Sequence, residues 1–304
     1  MYVLRRLFEA VPVIIAVTFI VFVSVRLIPG DPARTIAGLE ASDATVEAVR
    51  EDLGLDRPVL AQYLTFMSAL VAGDLGDSYY YGTPVIEEVL RRFPATLWLA
   101  VAGLALSIVI GVGVGTISAV MRGTWLDRGT LVFAIAGVSM PSFWLALVLI
   151  IVFAVNLGWL PAGGYGTWRH LVLPALTLGL FGAGTIARLT RSSVLEVLRQ
   201  DYVRTARSKG LPFRSVLVKH ALRNAMVPVI TLLGLQLGAF LSRAVVTETV
   251  FGWPGIARLT VTAVLDRDFP LIQGSVLWLA LVFILTNLLV DLVYAAIDPR
   301  IRYA

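Results

Sequence analysis

The chain has 304 residues, of which 58% are hydrophobic and 15% charged, and its formal net charge is +5. Soluble domains average about 45–50% apolar and about 25% charged residues, so a mean hydropathy of +0.85 excludes an ordinary soluble domain. Cysteine is absent, which removes disulfides, thiolate nucleophiles and thiolate metal sites.

The apolar residues are gathered into runs of about 20, the length that crosses about 30 Å of hydrocarbon. Behind Arg5 and Arg6, the run 7–28 is longer than a signal-peptide core and ends in Leu27-Ile28-Pro29-Gly30 without a small-residue cleavage site. It is expected to be an uncleaved first span, with Glu9 and Arg26 near its ends where long side chains can snorkel. The segment 30–93 is polar and predominantly acidic, which suits the outer side, although the topological weight rests on Lys and Arg. Three short helices are expected in it. Asp43 would cap a turn containing Val46 and Val49. Asp56, before Arg57-Pro58, would start a helix carrying Leu60, Tyr63, Leu64, Met67 and Leu70 up to Gly73. Thr83-Pro84 would start a third, with Glu87 and Glu88 early and Arg91 and Arg92 late, as the helix dipole favours. These pieces hold too little core for an independent domain.

A second span is expected over 95–121. Its Gly111-Val112-Gly113-Val114-Gly115 follows no strand and is not a nucleotide loop; Gly111 and Gly115 share one helix face, which favours close packing. Arg122 and Arg128 mark a short inside loop. The third span, 130–157, is interrupted at Met140-Pro141-Ser142. A proline frees a backbone carbonyl, and a kink beside a translocation path and a plain packing kink both fit. After an outside turn at 158–170, the fourth span covers 171–189 with Gly179, Gly182 and Gly184, and Arg188, Arg191 and Arg199 return the chain inside. The fifth span covers 228–246, with Gly234 and Gly238 four apart. An outer loop, 247–270, holds Glu248, Phe251-Gly252-Trp253-Pro254-Gly255 and Asp266-Arg267-Asp268, and the sixth span covers 271–297. The expectation is an all-α polytopic membrane protein of six transmembrane helices with both termini cytoplasmic. Its divisions are 1–94 (first span and extracytoplasmic segment), 95–297 (five spans) and the tail 298–304.

No Gly-x-x-x-x-Gly-Lys-Ser/Thr loop and no His-Glu-x-x-His occurs, and the only histidines, His170 and His220, fall on opposite sides of the expected membrane. Neither sits in a triad context, so an enzyme is not expected and no metal site is predicted. Ionisable groups inside spans cost about 2.5–3.5 kcal/mol each at the centre, and few occur: Gln236, Arg243, Asn287 and Asp291 are the main polar residues of the last two spans. Asp291 is expected to pair with Arg188 or Arg191 in a structural role. The lack of a ladder of such groups argues against a proton-coupled pump.

The most basic stretch lies between the fourth and fifth spans, about 190–227, and carries Arg199, Arg204, Arg207, Lys209, Arg214, Lys219 and Arg223. Such a loop stays in the cytoplasm. A short helix from Asp201 ending at Gly210, which can take φ > 0, would form a compact knob.

Several motifs together make the chain similar to one family over essentially its whole length. They are Leu27-Ile28-Pro29-Gly30-Asp31-Pro32, Gly73-Asp74-Leu75-Gly76-Asp77-Ser78, Arg204-Thr205-Ala206-Arg207-Ser208-Lys209-Gly210, His220-Ala221-Leu222-Arg223-Asn224, Glu248-Thr249-Val250-Phe251-Gly252-Trp253-Pro254-Gly255 and Tyr294-Ala295-Ala296-Ile297-Asp298-Pro299. The chain resembles the first permease subunit of dipeptide and oligopeptide ABC importers, a group that includes glutathione and nickel systems. Asp31-Pro32-Ala33-Arg34 and Gly234-Leu235-Gln236 lean toward the glutathione and dipeptide branch, with a nickel importer as the alternative. The wider class has Glu-Ala-Ala where this chain has Arg204-Thr205-Ala206, a replacement common in the peptide branch. The resemblance implies the type I ABC importer permease fold in the bacterial cytoplasmic (inner) membrane. It implies ATPase coupling through Asp201, Tyr202, Val203, Arg204, Thr205, Ala206, Arg207, Lys209 and Gly210, the cations meeting an acidic-rimmed groove and Tyr202, Val203 and Ala206 giving apolar contact. The implied partners are a second homologous permease, two cytoplasmic P-loop ATPases and an extracytoplasmic peptide-binding protein. ATP and Mg would be bound by the ATPases, with no cofactor in this chain. Met140, Pro141, Ser142, Gln236, Phe251, Trp253 and Pro254 would lie on the path or outer gate. The competing class is a self-sufficient secondary transporter, which would work without an ATPase.

Overall fold

Backbone in lipid must satisfy its own polar groups, so apolar runs with short polar breaks become helix after helix. A computed structural model describes residues 2–27, 31–38 and 40–297. The tail 298–304, the stretch Ile28-Pro29-Gly30 and the side chains of Glu9 and Asp291 lie outside the described residues. In chain order the helices are α1 (Tyr2–Arg26), α2 (Pro32–Ala37), α3 (Asp43–Asp52), α4 (Val59–Val71), α5 (Val85–Val120), α6 (Trp125–Ser139), α7 (Ser142–Leu149), α8 (Trp168–Val197), α9 (Asp201–Ser208), α10 (Phe213–Ser215), α11 (Arg223–Val250), α12 (Ile256–Leu265) and α13 (Phe269–Ile297). Wider π-type turns extend α7 over Ile150–Asn156 and join α10 to α11 over Val216–Leu222.

Among the described residues four helical stretches are long and apolar enough to cross a membrane: Val85–Val120, Trp168–Val197, Phe213–Gly234 and Phe269–Val290. The expected first span is α1, a single 25-residue helix, and the expected third span is divided between α6 and the apolar stretch Ser142–Asn156.

The chain divides into two compact units, Met1–Ala95 with Pro254–Leu288 and Thr96–Trp253 with Leu289–Ile301. The first unit has its core where Val21 and Val25 of α1, Val85 and Val89 of α5, Ile256, Leu259 and Ala263 of α12, and Leu271 and Ile272 of α13 pack together. α12 lies in what the sequence presents as an outer loop; its small and apolar residues at helical spacing, Ile256, Ala257, Leu259 and Ala263, are buried. Asp268 caps α13 by accepting from the Leu271 N–H at 3.2 Å and is held in place by the Ser78 hydroxyl at 2.5 Å. Two caps differ from expectation. Ser42, not Asp43, accepts from the Thr45 N–H at the start of α3, and α4 follows Pro58 with no side-chain cap. The helix begun at Thr83-Pro84 does not stop before the second span. It runs through Pro94 as one 36-residue helix, α5, because buried Val85, Val89, Thr96 and Leu99 continue a single stripe past the proline.

In the second unit α8 is the central helix, packed on α6, α7 and α11. Leu173, Leu178, Gly179, Gly182, Ala183, Ile186, Ala187, Thr190 and Val194 are among the residues it buries. Small residues let backbones approach. At Gly111 a Cβ would stand 2.7 Å from the Ile186 Cβ, and at Gly115 it would stand 2.5 Å from the Ala187 carbonyl oxygen. Gly234 of α11 is pressed in the same way by Val290 of α13. The interruption near Pro141 is a break, not a kink. The Met140 N–H closes α6 onto Ala136, Met140 is extended, and α7 starts anew behind Pro141.

Candidate functional site

The basic stretch forms a knob on the end of α8. The fourth helical run passes its expected end and stays helical to Val197, so the loop proper is shorter than 190–227. Gln200 is extended and α9 starts at Asp201. The helix ends as the Lys209 N–H bonds Thr205 and the Gly210 N–H bonds Arg207. Gly210 sits at φ +77, a region that costs an L-residue with a Cβ roughly 1–2 kcal/mol.

Val203 and Ala206, one turn apart, are buried against Val216, with Val197 and Leu198 alongside. They fasten the knob to its own chain, so the apolar contact expected from them toward a partner is spent internally. Tyr202 is 42% exposed, and its hydroxyl accepts from the Asn224 side-chain amide at 2.7 Å. Asp201, Arg204, Thr205, Arg207, Lys209, Arg214, Lys219 and Arg223 are all exposed. Arg204 lies 3.7 Å from Asp201, and the Arg207 guanidinium stands 5.6 Å from the Phe213 ring centre. Leu211, Phe213 and Val218 are exposed apolar residues among these cations. The sequence motifs do not single them out, although three apolar side chains within a run of basic ones are the signal for them.

Behind the knob the end of α8 is pinned. Arg191 donates to both carboxylate oxygens of Asp127, from Nε at 2.7 Å and from Nη2 at 2.9 Å. The Ser118 hydroxyl and the Gly123 N–H donate to the same carboxylate at 2.6 and 2.9 Å. Asp127 stands in the first turn of α6, ahead of the apolar run, and is buried. The Arg191 hydrogen bonds, then those from Ser118 and Gly123, hold its carboxyl well below the usual carboxylate range. Arg191 is thus paired with Asp127, and Arg188 is exposed; the expected pairing of Asp291 with Arg188 or Arg191 involves a side chain outside the described residues.

The residues assigned to a path or gate do not converge on one site. Met140 and Ser142 are half-buried and Pro141 is exposed. Gln236 is buried on α11. Phe251 is packed among Leu145, Ala146, Leu149 and Leu173, and its carbonyl accepts the Gly164 N–H at 2.8 Å. Trp253 is buried edge-on to Tyr165 at 4.8 Å. Phe251 and Trp253 therefore knit a corner of the fold and present little surface to a solute; Pro254 is half-buried beside them. Among the described residues no group of three His, Cys, Asp or Glu side chains could hold a metal ion. A cleft of about 610 Å³ in the first unit is lined by Arg26, Asp31, Arg50, Gln62 and Tyr79 among others. The Tyr79 hydroxyl is pushed up to about 12, chiefly by burial.

Long apolar helices packed through small-residue seams make this a multi-pass helical membrane protein. The chain belongs to the family described as binding-protein-dependent transport system inner membrane component, whose profile matches residues 111–303, and the N-terminal profile of the same kind of protein matches 1–100. It is thus a multi-pass inner-membrane permease component of an ABC importer. It is 48% identical over 302 residues, 99% of both chains, to the glutathione transport system permease protein GsiC of Pectobacterium atrosepticum. It is 47% identical over the same length to GsiC of Escherichia coli K12. Among solved structures it is similar in fold to the inward-facing MetNI methionine ABC transporter (TM-score 0.55, 18% identity, 69% of this chain and 96% of that one). It is likewise similar to an amino acid ABC transporter (TM-score 0.53, 15% identity, 71% of this chain and 94% of that one).

Proposed function

We propose that this permease imports di- or oligopeptides, glutathione among them, as one half of a translocation pathway completed by a second homologous permease. Two cytoplasmic P-loop ATPases bind ATP and Mg and do the hydrolysis, and an extracytoplasmic peptide-binding protein delivers the solute. The chain crosses the membrane six times with both termini in the cytoplasm, and the knob from Asp201 to Gly210 docks on an ATPase. The observation that carries this reading is the knob itself. Its inner face is consumed by Val203 and Ala206, while Arg204, Arg207, Lys209 and the ring of Tyr202 face outward, with Phe213, Arg214, Lys219 and Arg223 exposed just beyond it in the chain. That surface suits an acidic groove with an apolar floor, since opposite potentials steer and orient docking. Met140, Pro141 and Ser142, at the break between α6 and α7, lie on the path, whereas Phe251 and Trp253 shape its outer end from within the fold. Sites at subunit interfaces are the rule in alternating access.

The test is Gly210→Val in the assembled transporter. A β-branched residue at φ +77 must distort the end of the knob, and uptake is expected to fall at least about tenfold, a loss of roughly 1.4 kcal/mol of coupling. ATP hydrolysis and subunit levels should be retained. Normal uptake at normal subunit levels would remove the coupling role.

A further inference from the structure

Arg243 is a cation inside an apolar helix, and among the described residues it has no ion-pair partner. It stands seven residues before α11 ends at Val250, about 10 Å along the axis at about 1.5 Å per residue. Helical side chains lean toward the N-terminus, so the guanidinium reaches away from the nearer end of its helix. It lands over the ring of Phe181, 3.6 Å from the centre. Phe181 lies 13 residues after Trp168, the first residue of the 30-residue α8, about 20 Å in along the axis. Snorkelling, the ordinary way to host such a charge, would point it the other way. Among the described residues no carboxylate forms an ion pair with it: Asp127 holds Arg191, and Glu248 accepts from Thr96 at 2.7 Å. The Asp291 side chain lies outside the described residues.

We propose that Arg243, braced by Phe181, holds a carboxylate of the solute during its passage through this permease; the inference rests on the importer reading above. Ionisable groups within membrane helices face cavities and mark solute pathways. A guanidinium is permanently charged, weakly hydrated and forked to match a carboxylate. Stacking one of its faces on an aromatic ring leaves the N–H edge free for such a partner. The solute class is thereby narrowed to small peptides with a free carboxylate, which stays ionised at any physiological pH.

The test uses the complete transporter with its binding protein and ATPases in proteoliposomes. The probes are reduced glutathione, dialanine and the C-terminal amide of dialanine. Arg243→Gln should lower the maximal uptake rate of the two acids at least about tenfold, the loss of a charge-assisted hydrogen bond, with KM unchanged and uptake of the amide unaltered. Arg243→Lys, which keeps the charge without the fork, should restore part of the rate. Acid uptake by Arg243→Gln at the wild-type rate, or an equal fall for acids and amide, would overturn the proposal. So would failure of Arg243→Gln to assemble with the second permease, which would assign the cation to a carboxylate of that subunit. A wild-type complex that imports none of the probes would overturn the importer reading itself, and this inference with it.

Discussion

α8 and α9 are neighbours in the chain, separated only by Leu198, Arg199 and Gln200, yet they are held in opposite ways. α8 is buried along its length by small residues against α5, α6 and α11 and is pinned near its end by the four-donor Asp127 carboxylate. α9 is fastened by Val203, Ala206 and the Tyr202 hydroxyl, with the rest of its surface exposed. Burying a valine and an alanine stabilises by only about 2–3 kcal/mol, far less than a 30-residue helix gains from a continuous packed face. The knob is thus a lightly attached handle on a firmly seated lever. Local stability differs across structures in just this way, and moving parts come from the weakly held end.

The strongest way to break that contrast is to unseat the lever. Leucine at Gly115 would drive a Cβ to 2.5 Å from the Ala187 carbonyl and 2.8 Å from the Thr190 Cβ, both part of a packed helix that cannot yield. Overpacking of this kind costs about 1–3 kcal/mol or more, so Gly115→Leu should fail to accumulate as folded protein in membranes. Gly113, two residues away, has nothing within 4 Å of its would-be Cβ, and Gly113→Leu should accumulate normally. Equal levels of the two variants would mean that the seam is not tight.

Next in size is the pin. Asp127→Asn keeps an acceptor oxygen but removes the charge that Arg191 grips with a side chain only 24% exposed. A loss of about 2 kcal/mol is expected, below the full cost of breaking a buried pair, read as a lower melting temperature in detergent. The pH dependence has a definite sign. The folded carboxyl titrates below its unfolded value of about 3.9, so its contribution is complete above that value and is lost as pH falls through the folded one. Wild-type stability should lose this contribution only below about pH 4, and the asparagine variant should lack that component of the acid loss. Identical acid curves would show that the pair does not hold α8.

Much of the lever and handle is legible in sequence, and the exceptions share a cause. A basic run closed by Gly210 predicts a short helix stopping at a residue that can take φ > 0, and it stops there. Gly111 and Gly115 predict a close helix seam because spacing alone sets which face they share. Asp127 and Arg191 are 64 residues apart, and nothing local marks either as the other's partner. The inward turn of Val203 and Ala206 depends on Val216, placed by wide turns after α10 that no periodicity signals. Pro94 reads as a boundary because the residues packed on either side of it are remote in sequence. Arg243 is visible as an anomaly, but its direction, toward Phe181, is a tertiary fact.

The smallest change sharpens the contrast most finely. Tyr202→Phe removes one hydroxyl, which accepts from the Asn224 amide at 2.7 Å. Asn224 keeps a second acceptor in the His220 carbonyl at 3.3 Å, and Tyr202 is exposed enough for water to serve the amide. The net loss should stay near or below about 1 kcal/mol, and uptake should remain within about twofold of wild type. The informative reading is hydrogen exchange resolved by segment. Amides of α9 should exchange several-fold faster, because the hydroxyl is one of the few ties on that helix, while α8 amides, held by their packed face, keep wild-type rates. If α8 accelerates in step with α9, the two helices open as one unit, and the knob is then the exposed end of the lever with no independent mobility.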